Sequence, residues 1–125
     1  MNRVLIVDDN TDILWVVEII LKRYGFNVMT TLKGEDVLSK TRSFSPQLIL
    51  LDVFLSGIDG LDICRQLKST PQTRDIPIII FSAFPRMTEP VIYEYGADDF
   101  IAKPFEVNDL VQKVHSVLSQ QVGLA

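Results

Sequence analysis

Five side chains that can take part in phosphate or metal chemistry stand directly after short apolar runs. They are two acids near the N-terminus, a third acid mid-chain, a hydroxyl and an ammonium: Asp8, Asp9, Asp52, Ser82 and Lys103. Three clustered carboxylates cannot all stay ionised without a counter-charge, because repulsion raises the pKa of at least one of them. A hard divalent cation removes this repulsion, and oxygen ligands with room for water suit Mg²⁺.

The same residues predict phosphoryl transfer. If Asp8 and Asp9 hold Mg²⁺, Asp52 can give one oxygen to the metal and keep the other as a nucleophile, and carboxylates do fill that role. Phosphoryl transfer chiefly needs positioning and charge neutralisation. We expect Mg²⁺ to neutralise one side of the phosphoryl group and Lys103 another, while the Ser82 hydroxyl donates to the remaining oxygen.

The elements that must bring these residues together alternate along the chain. Short β-rich runs occur at Val4–Val7, Val28–Thr31, Leu48–Leu51, Ile78–Phe81 and Phe100–Ala102. Segments of helical character follow them at Thr11–Tyr24, Gly34–Ser43, Leu61–Ser69, Thr88–Tyr95 and Glu106–Gln120. Five successive βα units predict an α/β fold, a (βα)5 flavodoxin-like, doubly wound parallel sheet of order 2-1-3-4-5 with helices on both faces. Ligands of such sheets bind at the carboxyl ends of the strands, where all five side chains fall.

Length, charge and cysteine content restrict the class of protein. The 125 residues fit a single domain, 1–125, with no internal repeat or linker. The net charge of −4 argues against tight nucleic-acid binding. No apolar run approaches the ~20 residues of a membrane helix, so no membrane association is expected. The lone Cys64 cannot form an internal disulfide and is expected to be a packed thiol, which favours a reducing, cytoplasmic location.

Five motifs surround the candidate residues in a fixed order. They are Leu5–Asp9 (LIVDD), Leu50–Asp52 (LLD), Ile58–Gly60 (IDG), Phe81–Ala83 (FSA) and Gly96–Phe105 (GADDFIAKPF). An Asp-Asp pair occurs by chance in many sequences and is weak evidence for a family. All five motifs in this order and at these spacings are specific evidence. Over essentially its whole length the sequence resembles the receiver domain of two-component response regulators. The resemblance implies a phosphorelay switch, not a conventional enzyme, that takes its phosphoryl group from a histidine kinase or a histidine phosphotransfer domain.

The resemblance also implies which residues hold the metal and accept the phosphoryl group. Asp52 would be the phospho-acceptor, while Asp8 and Asp9 would be the metal acids. Asp52 would contribute to the same metal site, and the backbone carbonyl of Phe54 would be a further metal ligand.

A second set of residues would form the conformational switch. By resemblance, Ser82 is the switch hydroxyl and Lys103 is the amine that senses the phosphate. Phe100, three residues before Lys103, occupies the position of the switch aromatic. The peptide bond before Pro104 is usually cis in this family.

The sequence departs from the family pattern in two places. A proline commonly stands four residues after the acceptor, where this chain has Ser56 followed by Gly57. The positions two after Asp52 and two after Ser82 flank the phosphoryl site in the family, and here both are aromatic, Phe54 and Phe84. We therefore expect slower attack by water on the phosphorylated state, because neither ring can orient a water molecule by hydrogen bonding.

The first predicted helix, Thr11–Tyr24, is apolar on more than one side. Its apolar spacing predicts a core face made of Ile13, Val16, Val17, Ile20, Leu21 and Tyr24. Leu14, Trp15 and Ile19 are then expected on the outward side, where a contiguous patch with a Trp suggests a contact site. Receiver domains dock the phosphodonor domain beside this helix, so these three are the candidate partner-docking residues.

Two other classes of protein remain open at this point. A phosphatase of the haloacid dehalogenase type needs a second acid two residues after the nucleophile, where this sequence has Phe54. A flavodoxin-like FMN-binding or structural module has no need of three acids and a lysine, and no phosphate-cradling glycine loop follows the first strand. Whether the domain is freestanding or part of a longer regulator also stays open; a freestanding one would signal through protein contacts.

Overall fold

The central feature of the fold is a parallel β-sheet. The computed structural model describes residues 2–55, 57–83 and 93–123, without the side chains of 121–123. Its five strands are β1 (Arg3–Val7), β2 (Asn27–Thr31), β3 (Leu48–Asp52), β4 (Ile78–Ser82) and β5 (Asp99–Ala102). The order β2-β1-β3-β4-β5, with every neighbouring pair parallel, confirms the predicted order 2-1-3-4-5.

Four described helices cover the two faces of this sheet. They are α1 (Thr11–Arg23), α2 (Val37–Phe44), α3 (Gly60–Ser69) and the C-terminal helix (Val107–Gly123). One layer of the core lies between the sheet, α1 and the C-terminal helix, and the other lies between the sheet, α2 and α3. All side chains of β3 and β4 are buried, as expected of strands covered on both sides.

The ends of the elements follow local hydrogen-bonding chemistry. The Asn10 side chain caps α1 by accepting from the backbone N–H groups of Asp12 and Ile13, and Asp59 caps α3 in the same way. Gly25, directly after the C-cap residue Tyr24 of α1, has a φ of +90°, a left-handed conformation that glycine adopts without strain. Since β3 and β4 run one residue longer than predicted, Asp52 and Ser82 are the last residues of their strands.

The predicted face of α1 is wrong at several positions. Leu14 is buried in the core together with Val17 and Leu21, whereas Val16 and Tyr24 are exposed. The buried stripe of an amphipathic helix is set by how the helix is rotated against the sheet, and here it centres on these three residues. Leu14 therefore lies in the core and not on the outward side of the helix, where it was expected.

Other boundaries differ from the prediction by small amounts. The segment predicted as Gly34–Ser43 begins as a 3₁₀ turn at Gly34–Asp36 before α2 starts. A short antiparallel pair, Phe54–Leu55 with Ile58–Asp59, was not predicted. Most of the predicted helix Thr88–Tyr95 lies outside the described residues. Within the part of the chain that the structure describes, no helix combines the length and apolar character needed to span a bilayer.

Candidate phospho-acceptor and metal site

Strand register brings the candidate residues to one end and one face of the sheet. Val7 pairs with Leu51, so Asp8 and Asp52 follow side by side at the ends of β1 and β3. Asp52 pairs in turn with Phe81, and Phe81 pairs with Ile101. Side chains alternate between faces along a strand. The face of the sheet that carries α1 and the C-terminal helix therefore holds Asp52 and Phe81. It also holds Lys103, which lies two residues beyond Ile101.

The Lys103 ammonium joins the two buried acids. Its Nζ lies 2.5 Å from Oδ2 of Asp8 and 3.5 Å from Oδ2 of Asp52. Asp8 is completely buried, Asp52 is 5% exposed, and the Lys103 side chain is 11% exposed. Charges held this far from water interact strongly, since the surrounding dielectric constant is low.

Backbone groups fix the other oxygens of the two carboxylates. The N–H of Asn10 donates to Oδ1 of Asp8 at 2.9 Å, and the N–H of Phe54 donates to Oδ1 of Asp52 at 3.4 Å. The chain after Asp52 folds back so closely that a Cβ on Gly60 would lie 2.0 Å from the Asp52 carbonyl oxygen. Only glycine fits this approach, which explains why the IDG motif ends in a residue without a side chain.

The environment of Asp52 opposes its ionisation. The pKa of this carboxyl is raised from 3.8 to about 6: burial raises it most, the nearby Asp8 carboxylate adds to the rise, and Lys103 and the Phe54 N–H oppose it. Desolvation disfavours the charged form of an acid, and a like charge adds to this effect. The pair of buried acids thus carries more negative charge than one ammonium balances.

Asp9 completes a group of acids that can hold a cation. One carboxylate oxygen each from Asp8, Asp9 and Asp52 lies within 4.8 Å of the other two, and Asp9 is exposed to solvent. Asp8 and Asp52 bring two buried carboxylates to the ammonium of Lys103, and Asp9 adds a third acid on the solvent side. An all-oxygen site that is open on one side suits Mg²⁺, which keeps part of its water shell when it binds. The residues present therefore fit a divalent cation.

The predicted switch residues lie on the neighbouring strands β4 and β5. Ser82 is buried at the end of β4, and its carbonyl accepts from the N–H of Lys103 at 2.9 Å. Phe100 is half-buried and packs against the core layer formed by α2 and α3. The Lys103–Pro104 peptide bond is cis, as the resemblance implies.

Two further residues at the site are absent from the predicted set. The backbone N–H of Asn10 orients Asp8, and the Phe81 ring lies under Lys103, with Nζ 4.4 Å from its centroid. Phe81 directly precedes Ser82 in the FSA motif, so strand alternation alone could have placed it on the face opposite to that serine.

The structure describes some of the residues predicted to flank the site or to dock the partner, and others lie outside the described residues. Phe54 is 48% exposed next to Asp52, while Phe84 and Ser56 lie outside the described residues. Trp15 is exposed on α1, and Ile19 lies one turn further along the helix and is also exposed.

Known proteins resemble this chain over nearly its full length. The profile of the response regulator receiver domain matches residues 4–115. The response regulator ArlR of Staphylococcus aureus is 37% identical over 122 residues, which are 97% of this chain and 54% of that protein. The chain therefore spans about half the length of the curated relatives it matches.

Solved structures agree with this result. A CheY-like receiver domain protein of Methanospirillum hungatei has a TM-score of 0.92 at 26% identity, covering 100% of this chain and 99% of that one. The receiver domain of a signal transduction histidine kinase from Syntrophus aciditrophicus has a TM-score of 0.87 at 31% identity, covering 96% and 92%. The chain therefore belongs to the response regulator receiver domain family, the signalling domains of phosphorelays.

Proposed function

We propose that this domain accepts a phosphoryl group on Asp52 from a phosphohistidine donor, with Mg²⁺ bound beside it. The observation that carries the proposal is the buried group of Asp8, Asp52 and Lys103 at the carboxyl end of the sheet. An oxygen of Asp52 forms a bond to phosphorus while the bond from phosphorus to the donor's imidazole nitrogen breaks. The departing imidazole takes up a proton from solvent.

Asp8, Asp9 and Asp52 would hold the cation, and the carbonyl of Phe54 would be a further ligand. When bound, Mg²⁺ would neutralise charge on the phosphoryl oxygens. The spacing of the three acids supports this assignment, as does the sharing of one ammonium by the buried carboxylates of Asp8 and Asp52. Asp9 is the exposed member of the three, so a partly hydrated cation can reach it from solvent.

Lys103 would hold the transferred group in place. Its Nζ is already 3.5 Å from Asp52, so a phosphoryl group on that carboxylate falls within reach of the ammonium. A short movement away from Asp8 lets Lys103 donate to a phosphoryl oxygen, and such charge-assisted hydrogen bonds are short and strong.

Ser82 and Phe100 would turn the chemical change into a conformational one. The new dianion attracts the Ser82 hydroxyl, and the Phe100 ring then moves inward behind it. A hydrogen bond to a charged group contributes roughly 1.5–3 kcal/mol, which is enough to shift a two-state population tenfold or more. NMR chemical shifts of Ser82 and Phe100 that stay unchanged on phosphorylation would reject this mechanism.

The phosphodonor would dock on the exposed side of α1. Trp15 is 66% exposed, and it borders a shallow groove of about 430 Å³ between α1 and β2 that also contacts Glu18 and Leu32. Large exposed aromatic residues next to apolar ones are typical of binding hot spots. Trp15 and Ile19 are the residues proposed to contact the donor, and Leu14 supports them from the core.

The proposal is tested by intact-mass spectrometry after incubation with acetyl phosphate. Wild type with Mg²⁺ is expected to gain the mass of one phosphoryl group, whereas wild type with a chelator and Asp52→Asn with Mg²⁺ are expected to gain none. Asp75→Asn, which changes an exposed acid far along the chain from the site, is the matched control and should react like wild type. An adduct on Asp52→Asn would overturn the assignment.

A further inference from the structure

We propose that Phe81 is a positioning residue for Lys103, and that the face of its ring keeps the ammonium over Asp52 independently of Asp8. This inference rests on the proposed function, because it concerns how Lys103 is held ready for the phosphoryl group. Phe81 would act through Lys103 and would not itself touch the reacting atoms.

The geometry of the contact fits a cation–π interaction. The Lys103 Nζ lies 4.4 Å from the centroid of the Phe81 ring, inside the distance of about 6 Å at which a ring attracts a cation. Phe81 is 1% exposed and the Lys103 side chain is 11% exposed, so little water screens the contact. Register explains the arrangement, since Phe81 pairs with both Asp52 and Ile101, two residues before Lys103.

Besides Asp52 itself, Asp8 and the Phe81 ring attract the ammonium, and these two contacts respond differently to a bound cation. The contact with Asp8 uses a carboxylate that would also ligate the metal, so the cation and Lys103 compete for the same negative charge. The contact with Phe81 uses the negatively polarised face of a ring and no carboxylate oxygen. The ring would therefore keep Lys103 close to Asp52 when the cation draws on the charge of Asp8.

The inference is tested with Phe81→Leu, which keeps an apolar side chain but removes the ring. Phe26→Leu is the matched control, because Phe26 belongs to the same core layer and is also buried, and its ring lies against His115, with centroids 5.4 Å apart. Both variants lose a buried ring. A difference between them therefore reports the contact with Lys103 and not the general loss of packing.

The first readout is the NMR signal of the Lys103 ε-methylene protons, measured without phosphodonor. Protons over a ring face are shifted upfield, so wild type and Phe26→Leu should show the upfield shift with and without Mg²⁺, and Phe81→Leu should lose it. Lys103 signals at ordinary lysine positions in wild type would overturn the inference even if Phe81→Leu failed to fold.

The second readout is the rate of phosphorylation by acetyl phosphate with Mg²⁺. Phe81→Leu is expected to react roughly threefold to tenfold more slowly than Phe26→Leu. Equal rates in the two variants would overturn the inference. If wild type formed no adduct at all, the proposed function would fail, and the NMR shift of Lys103 would still decide whether Phe81 positions it.

Discussion

Two clusters of lysine and aspartate lie at opposite ends of the sheet, and their charges are balanced differently. At the amino end, the Lys68 ammonium contacts one carboxylate, Asp98, at 3.0 Å and donates to the carbonyls of Arg74 and Ile76. Asp98 accepts in turn from the N–H of Ile78. Each charge in this cluster has an opposite charge and backbone hydrogen bonds, as expected of a group that stabilises the fold.

In the cluster at the carboxyl end of the sheet, acids outnumber the lysine. Lys103 faces both Asp8 and Asp52, and Asp9 adds a third carboxylate within 4.8 Å. Asp8 and Asp52 share one ammonium, and the pKa of Asp52 is raised to about 6, first by burial and then by the neighbouring Asp8 carboxylate. The balanced cluster joins structural elements, whereas the cluster at the carboxyl end is the one proposed to take a cation and a phosphoryl group.

The largest expected effect is the pH-dependent stabilisation caused by Asp52→Asn in the presence of a chelator. The folded state binds the Asp52 proton up to about pH 6 and the unfolded state only up to about 3.8, so ionisation of Asp52 lowers the free energy of unfolding as pH rises between these values. Asp52→Asn has no carboxyl group to ionise at this position, so its free energy of unfolding does not fall for this reason. We expect it to match wild type near pH 4 and to be more stable above pH 7 by up to about 3 kcal/mol.

Urea unfolding at several pH values measures this difference. Asp75→Asn, which removes an exposed acid, serves as the control and should give a difference that changes little over the same range. A stability difference for Asp52→Asn that shrank as the pH rose would contradict the imbalance at the carboxyl end.

The balanced cluster should respond in the opposite direction. Asp98→Ala removes the carboxylate that pairs with Lys68 and leaves the N–H of Ile78 without its acceptor, which is expected to lower the free energy of unfolding by about 2 kcal/mol. Asp98→Asn keeps an acceptor oxygen, so its free energy of unfolding should fall by about half as much. Chemical unfolding of the two variants checks this, and a stabilised Asp98→Ala would remove the distinction between the clusters.

Removing the exposed acid of the unbalanced cluster should weaken cation binding. Asp9→Ala takes away one of the three proposed carboxylate ligands, and we expect the Kd for Mg²⁺ to rise tenfold or more. Isothermal calorimetry measures the Kd directly, with Asp12→Ala, an exposed acid three residues further on, as the control. Mg²⁺ binding by Asp9→Ala with wild-type affinity would show that the site is placed wrongly.

The smallest expected effect concerns the lifetime of the phosphorylated state. Phe54 lies exposed beside Asp52 and cannot orient an attacking water, so Phe54→Asn should lose the phosphoryl group about threefold faster than wild type. Phe54→Leu, which removes the ring without adding a polar group, should lose it at nearly the wild-type rate. Dephosphorylation followed by intact mass gives both rates, and an unchanged or slower loss in Phe54→Asn would reject the idea.

Much of the sheet and site follows from local sequence. The strands are continuous apolar runs, and the residues that end them are therefore forced to the same edge once the sheet is parallel. The apolar runs and the residues that end them therefore predict that Asp8, Asp52 and Lys103 lie together at this edge. Asp59 and Asn10 cap helices because their short side chains accept from free N–H groups, which is a purely local property.

The features of the structure that the sequence does not predict depend on how the helices and strands pack. The α1 pattern had apolar residues all round, so its period alone did not decide between a face containing Leu14 and one containing Val16. The Phe81 contact with Lys103 joins residues 22 positions apart, and only strand register shows that they share a face. The pair of two-residue strands after β3 depends on the close approach of Gly60 to Asp52, which is a tertiary contact.

At the carboxyl end, two buried carboxylates share one ammonium, and one measurement tests this surplus of negative charge most directly. The free energy of unfolding of wild type and Asp52→Asn is compared at pH 7.5, first with a chelator and then with saturating Mg²⁺. We predict that the variant is more stable with the chelator, and that Mg²⁺ stabilises wild type more strongly, so that the difference closes or reverses. A variant less stable than wild type without Mg²⁺, or an equal gain from Mg²⁺ in both proteins, would contradict the account.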